Sequence, residues 1–202
     1  MNSAPTPGDL IPRSVVCVFA SSSRRIDPSW SEAASHVGAA LNQFDLHLSY
    51  GGCLLGLMGE AALSARRHGR GVLGVIPKKL VDLGEADEDC TELVIVSDLA
   101  ERKRVLVQRS GGFLALPGGV GTFDEIFEVL ALRQVGEIHS PLALVNDRGF
   151  YDPLLTMLEQ AQNQGFLKGL IAKEGACDDL IVADSTMEAV ELLARAMGQK
   201  TL

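Results

Sequence analysis

Several common signals are missing from this 202-residue chain. Its four cysteines, Cys17, Cys53, Cys90 and Cys177, lie far apart with no C-x-x-C pair. That excludes the usual zinc spacing and leaves no disulfide framework, so a reducing cytoplasm is the default compartment. The net charge is −8, and a polyanion surface needs a clustered basic face, which argues against a nucleic-acid polymer as partner. No apolar run approaches the length of a membrane span. The first 12 residues, with three prolines and no apolar h-region, read as a flexible tail and not as a signal peptide. No metal-ligand cluster stands out, and the two common glycine signatures are absent as well. There is no G-x-x-x-x-G-K-S/T for a triphosphate, and no G-x-G-x-x-G with an acidic residue about 20 positions on for a dinucleotide ribose.

What is present is regular alternation. Short runs rich in Val, Ile and Leu at 14–20, 46–50, 71–76, 92–96, 112–116, 141–146 and 179–183 read as strands, most of them buried on both faces. Helical patterns lie between them at about 30–43, 55–69, 98–110, 122–135, 151–164 and 185–198. This predicts an α/β fold, a doubly wound, mostly parallel sheet with helices on both faces. Residues 13–202 form one domain in this reading, with no linker to split them.

The most informative stretch is Pro117-Gly118-Gly119-Val120-Gly121-Thr122-Phe123-Asp124-Glu125, fed by the apolar run Phe113–Leu116 and followed by an amphipathic segment. Glycines in such a turn let backbone N–H groups approach an anion closely, and a helix beginning near Thr122 adds its positive dipole end. The turn therefore reads as a phosphate cradle, and a monophosphate suits it best. Thr122 and Glu125 also fit a capping box, T-x-x-E, and the two roles are compatible. A carboxylate beside a bound phosphoester otherwise needs a chemical reason.

In such a sheet ligands bind outside the carboxyl ends of the strands. Ser21, in the turn Ala20-Ser21-Ser22-Ser23, and Tyr50-Gly51-Gly52-Cys53 leave those ends, as does Pro77-Lys78-Lys79, with Glu85 further along. The glycines from 51 to 59 serve either ligand contact or tight helix packing. Asp98 reads as the N-cap of the helix that carries Glu101, Arg102, Lys103 and Arg104. For Lys103 or Arg104 a solvated face is the plain reading. Arg102 borders the crevice, where it meets a phosphate or ribose oxygen or pairs with Glu125.

Together these segments resemble the LOG family, the cytokinin riboside 5′-monophosphate phosphoribohydrolases, often labelled lysine decarboxylase-like. The match rests on Tyr50-Gly51-Gly52 with Gly56-Leu57-Met58-Gly59, on Gly74-Val75-Ile76-Pro77, on Arg102-Lys103 and on the 117–125 motif, and continues through Pro141 and Gly149-Phe150-Tyr151. The resemblance implies hydrolysis of the N-glycosidic bond of a purine nucleoside 5′-monophosphate, AMP or an N6-substituted relative, without cofactor or metal. It implies Arg102 and Glu125 as the catalytic pair. Gly118, Gly119, Val120, Gly121, Thr122, Lys103, Ser21, Gly51, Gly52 and Glu85 are then the phosphate and substrate contacts. It also implies a homodimer, for which Leu106, Ile126, Phe127, Val129 and Leu130 are the apolar candidates.

The departures are Leu99-Ala100 where the family commonly has Met-His, Cys53 for a third glycine, Ala131-Leu132 for Thr-Trp, and Arg24-Arg25 where a glycine often follows the serine turn. They leave the base preference open. Two other readings stay beside the hydrolase. One is a non-catalytic nucleotide- or cofactor-binding protein with the same cradle. The other is a pyridoxal-phosphate decarboxylase, for which no lysine is marked.

Overall fold

The computed structural model describes residues 4–167 and 180–200. Its elements run β1 (Val15–Phe19), α1 (Ser31–Ser35), α2 (Val37–Asn42), β2 (His47–Tyr50), α3 (Gly56–Arg67), β3 (Val72–Pro77), α4 (Lys78–Asp82), β4 (Glu92–Val96) and α5 (Leu99–Gln108). They continue with β5 (Gly112–Ala115), α6 (Val120–Gln134), β6 (Leu142–Val145), α7 (Asp152–Asn163), β7 (Leu180–Ala183) and α8 (Thr186–Ala196). All seven expected strands are present, and Asp179, expected to open the last, lies outside the described residues.

Among the described residues the seven strands pair in parallel throughout, in the order β4-β3-β2-β1-β5-β6-β7. The chain builds outward from β1 to β4, then returns to lay β5 on the other side of β1, with Val16 opposite Gly112 and Phe19 opposite Ala115. The switch point therefore falls between β1 and β5, and the loops that leave these two strands part there to form a crevice.

Continuous apolar strands are explained by two buried faces. Val16 and Val18 of β1 join a core with α1, α2, α3 and α8, through Ala34, Leu41, Ala61 and Val190. Val15, Cys17 and Phe19 point to the opposite core, with Leu106 of α5, Ile126 of α6 and Leu158 of α7. The edge strands β4 and β7 are less covered, Ile95 being 54 % exposed.

Two expectations need correction, and one helix was not expected. The helix expected over 30–43 is broken at His36, because Ser64 of α3 enters its ladder: Ser64 Oγ donates to Ser35 O at 2.5 Å and accepts from Gly38 N at 3.0 Å. The short helix α4 had no sequence signal of its own. Part of the expected flexible tail is folded: 3₁₀ turns span Pro7–Asp9 and Pro12–Ser14, and Leu10, 2 % exposed, is anchored in the α5–α7 core.

Candidate active site

The helix α6 begins earlier than expected, and this changes the reading of the glycine turn. Its N-cap is Gly119, not Thr122, and the first ladder bond runs from Phe123 N to Gly119 O at 3.0 Å. Thr122 is the third helical residue, 3 % exposed, and packs back on Gly118, where a Cβ would stand 2.1 Å from Thr122 Oγ1. The capping-box role for Thr122 and Glu125 is thereby overturned, since Glu125 sits on the second turn. The backbone N–H groups of Val120, Gly121 and Thr122 have no partner within the helix and head its dipole. A Cβ on Gly119 or Gly121 would meet no protein atom within 4 Å. The space in front of these donors is open.

That space is a cleft of about 440 Å³ at the switch point. One wall is the cradle, Gly119 to Thr122; another is the serine turn, Ser21 to Ser23; a third is apolar, with Leu55, Met58 and Leu80. Arg102, Glu125, Glu85 and Cys53 complete it. The serine turn is fixed from both sides: Ser21 N donates to Pro117 O at 3.3 Å and Ser21 O accepts from Met58 N at 3.2 Å.

Arg102 and Glu125 come together from α5 and α6, Nη2 to Oε1 at 3.4 Å, with side chains 15 % and 13 % exposed. The Arg102 guanidinium fills the place of a side chain at Gly51, where a Cβ would lie 1.9 Å from Nη2. Its buried Nε has no hydrogen-bond partner among the described residues. Burial raises the Glu125 carboxyl to about 7, and Asp124 and Glu128 push the same way, against Arg102 and Lys103. Such a group exchanges its proton near neutral pH, as a general base or acid requires.

Glu85 reaches the cleft from a loop pinned underneath. Cys53 and Ala86 form an isolated antiparallel bridge, and Asp87 N donates to Gly52 O at 2.9 Å. Asp87 itself is fully buried and accepts from Tyr50 Oη and Arg66 Nη1, each at 2.5 Å. No motif in the sequence marks Asp87 or Arg66; they act only as supports. Burial also raises the Cys53 thiol.

Four expected contacts do not line the cleft. Lys103, one residue on from Arg102, turns away to pair with Asp124 at 3.0 Å and with Glu128. Gly51 and Gly52 act as packing positions: the first clears Arg102, and the second takes φ 73 with its Cβ site 2.9 Å from Ile76 Cβ. Gly118 faces a neighbouring pocket instead. Residues that the sequence reading missed in the cleft are Met58, Leu55 and Leu80, whose apolar character is also that of ordinary core. Among the described residues, no three His, Cys, Asp or Glu side chains are grouped to hold a metal ion, and no helix is long and apolar enough to cross a membrane.

Comparison with known proteins places the chain in a family. A family model described as possible lysine decarboxylase matches residues 58–193. A cytokinin riboside 5′-monophosphate phosphoribohydrolase of Arabidopsis thaliana is 40 % identical over 152 residues, 75 % of this chain and 70 % of the relative. A probable enzyme of the same name from Oryza sativa subsp. japonica is 39 % identical over 186 residues, 92 % of this chain and 79 % of the relative. Among solved structures, the molybdenum cofactor binding protein of Rippkaea orientalis superposes with a TM-score of 0.67 at 19 % identity, covering 92 % of this chain and 96 % of that one. A molybdenum cofactor carrier protein of Chlamydomonas reinhardtii gives 0.68 at 18 %, covering 93 % and 98 %. At that identity the likeness concerns the fold alone.

Proposed function

The chain belongs to the LOG family, the cytokinin riboside 5′-monophosphate phosphoribohydrolases, and from that premise we infer that it hydrolyses the N-glycosidic bond of a purine nucleoside 5′-monophosphate to free base and ribose 5-phosphate. AMP and N6-substituted AMP are the substrates proposed. One observation carries this reading: a buried arginine–carboxylate pair faces the same cleft as an open helix N-terminus.

In this mechanism the 5′-phosphate accepts from the N–H groups of Val120, Gly121 and Thr122, which places the ribose toward Arg102 and Glu125. As the bond from C1′ to the base nitrogen breaks, its electron pair leaves with the base and positive charge grows on the ribose. The Glu125 carboxylate stabilises that charge, or takes a proton from the water that adds to C1′. The base nitrogen takes the proton that the water gives up, passed on through Glu125, so water is divided between ribose 5-phosphate and the neutral base. Arg102 orients the carboxylate and contacts the sugar phosphate. Ser21 and Glu85 complete the polar contacts of the substrate.

The family description also names lysine decarboxylase, chemistry that a pyridoxal phosphate would supply through a lysine amine. The cleft has no lysine in its lining. Lys103 is held by two carboxylates, and Lys78 pairs with Asp82 at the surface. These residues do not fit that cofactor.

The proposed assembly is a homodimer. Of the five apolar candidates, Leu106, Ile126, Val129 and Leu130 are buried against the sheet and only Phe127, at 40 %, is exposed. Leu99 and Val120, at 59 % and 85 %, join it as exposed apolar residues on α5 and α6. Unpaired Cys17, Cys53 and Cys90 suit a cytoplasmic location.

The test is incubation with a panel of nucleoside 5′-monophosphates and the matching nucleosides, followed by chromatography for free base. Base from monophosphates alone supports the hydrolase. Binding of monophosphates without base release supports a non-catalytic nucleotide-binding protein.

A further inference from the structure

The loop between β1 and α1 borders two spaces. Its first part, Ser21 to Ser23, lines the cleft just described, and its later part, Ile26 and Trp30, lines a second pocket of about 230 Å³ beyond the glycine turn. Both spaces touch Ser21 and Gly119. No side chain stands at Gly119, so a ligand held at the cradle has open passage past that backbone.

The second pocket is apolar and aromatic. Trp30 and Phe150 meet edge to face, ring centroids 5.6 Å apart at 75°, and Leu57 and Pro117 extend the wall. Both charge signs surround it: Arg148 pairs with Asp147 at 3.3 Å, and the loop before Trp30 carries Arg24, Arg25 and Asp27. The Arg148 guanidinium lies 3.6 Å from the Trp30 ring centroid and donates to Ser29 Oγ at 3.0 Å, from a backbone at φ 53 that a side chain of this size rarely adopts. Arg24 and Arg25, between the two parts of the loop, are exposed and form no ion pair among the described residues. A nucleoside monophosphate in the cleft uses none of these features.

We propose that this pocket is a second subsite, which takes the planar base of a 5′–5′ dinucleotide whose first nucleotide occupies the cleft. The proposal rests on the cradle assignment of the hydrolase reading. The first phosphate binds at the N–H groups of Val120, Gly121 and Thr122, the second passes Gly119 toward the loop that carries Arg24 and Arg25, and the second base enters the pocket walled by Trp30, Phe150, Leu57 and Pro117. Aromatic rings hold nucleobases through their faces without needing hydrogen-bond readout, and arginine is suited to phosphate oxygens.

Trp30 is the only tryptophan in the chain, so its emission reports on this pocket alone. Full-length protein is titrated with diadenosine 5′,5′-diphosphate and, separately, with AMP, while adenine release from AMP is assayed on the same samples. The expected result is saturable quenching by the dinucleotide, about ten-fold tighter binding than AMP, and little change in emission with AMP. The double variant Arg24→Ala, Arg25→Ala is expected to lose most of that ten-fold gain and to keep AMP hydrolysis. Equal affinities with unchanged Trp30 emission overturn the subsite. Adenine release without any dinucleotide quench overturns the subsite and leaves the hydrolase reading standing, whereas dinucleotide quench without adenine release keeps the subsite and sinks the hydrolase reading.

Discussion

Glu125 is nearly buried with a cation in reach, and the burial outweighs the cation. Its carboxyl, raised to about 7 from 4.5, gives two measurable consequences. If the carboxylate is the working form, kcat/KM should rise with pH along an acid limb centred near 7, and Glu125→Gln should abolish that limb while lowering turnover by roughly 100-fold or more. The sign for stability is the reverse. A carboxyl whose folded pKa is raised contributes fully below about 4.5 and loses that contribution as pH rises through 7, because the native state then holds a buried charge. Glu125→Gln should therefore match the parent in denaturant melts at pH 4 and exceed it above pH 7, by at most about 3 kcal/mol. An unchanged difference across that range would mean that Glu125 ionises as an exposed carboxylate does.

The pairing of Arg102 with Glu125 was legible because each follows a strand end at a readable distance. The direction of Lys103 was not. Successive helical residues point about 100° apart, so neighbours in sequence face different partners, and nothing in R-K-R says which one turns inward.

At the scale of elements, the glycine turn and the first turn of α6 divide into positions that support the fold and positions that leave room for a ligand. Gly119→Val and Gly121→Val place atoms in open space, so the melting temperature should stay within a few degrees while affinity for AMP falls strongly. Gly51→Ala acts elsewhere: its Cβ would displace the end of the Arg102 side chain, so turnover should fall with stability largely kept. Gly38→Ala meets Ser64 carbonyl oxygen at 2.1 Å, which is backbone, and should destabilise without any specific effect on the site. Thermal melts, calorimetric binding and adenine release from AMP on the four variants separate these outcomes. The T-x-x-E spacing misled because it matches a capping box anywhere near a helix start, and the N-cap position at Gly119 is set by the fold of the turn. The break at His36 was also hidden, since it depends on Ser64, which arrives from a different helix.

For the whole molecule, strand number and parallel pairing followed from the alternation of apolar runs and helical patterns. The order β4-β3-β2-β1-β5-β6-β7 did not, because sequence alone does not say on which side of β1 the chain returns. That return creates the crevice, so the candidate residues were readable before the place where they meet. If the proposed homodimer forms through the exposed apolar residues of α5 and α6, the parent should sediment as a dimer and Phe127→Glu should shift it toward monomer; a parent that sediments as a monomer, or a variant that stays dimeric, contradicts that contact.

The most direct measurement compares adenine release from AMP and from adenosine by the parent chain and by Glu125→Gln. The hydrolase reading predicts release from AMP at a rate far above that from adenosine, and loss of roughly 100-fold or more in the variant with AMP still bound. Equal rates from the two substrates would remove the phosphate cradle from the mechanism, and a variant as fast as the parent would remove Glu125.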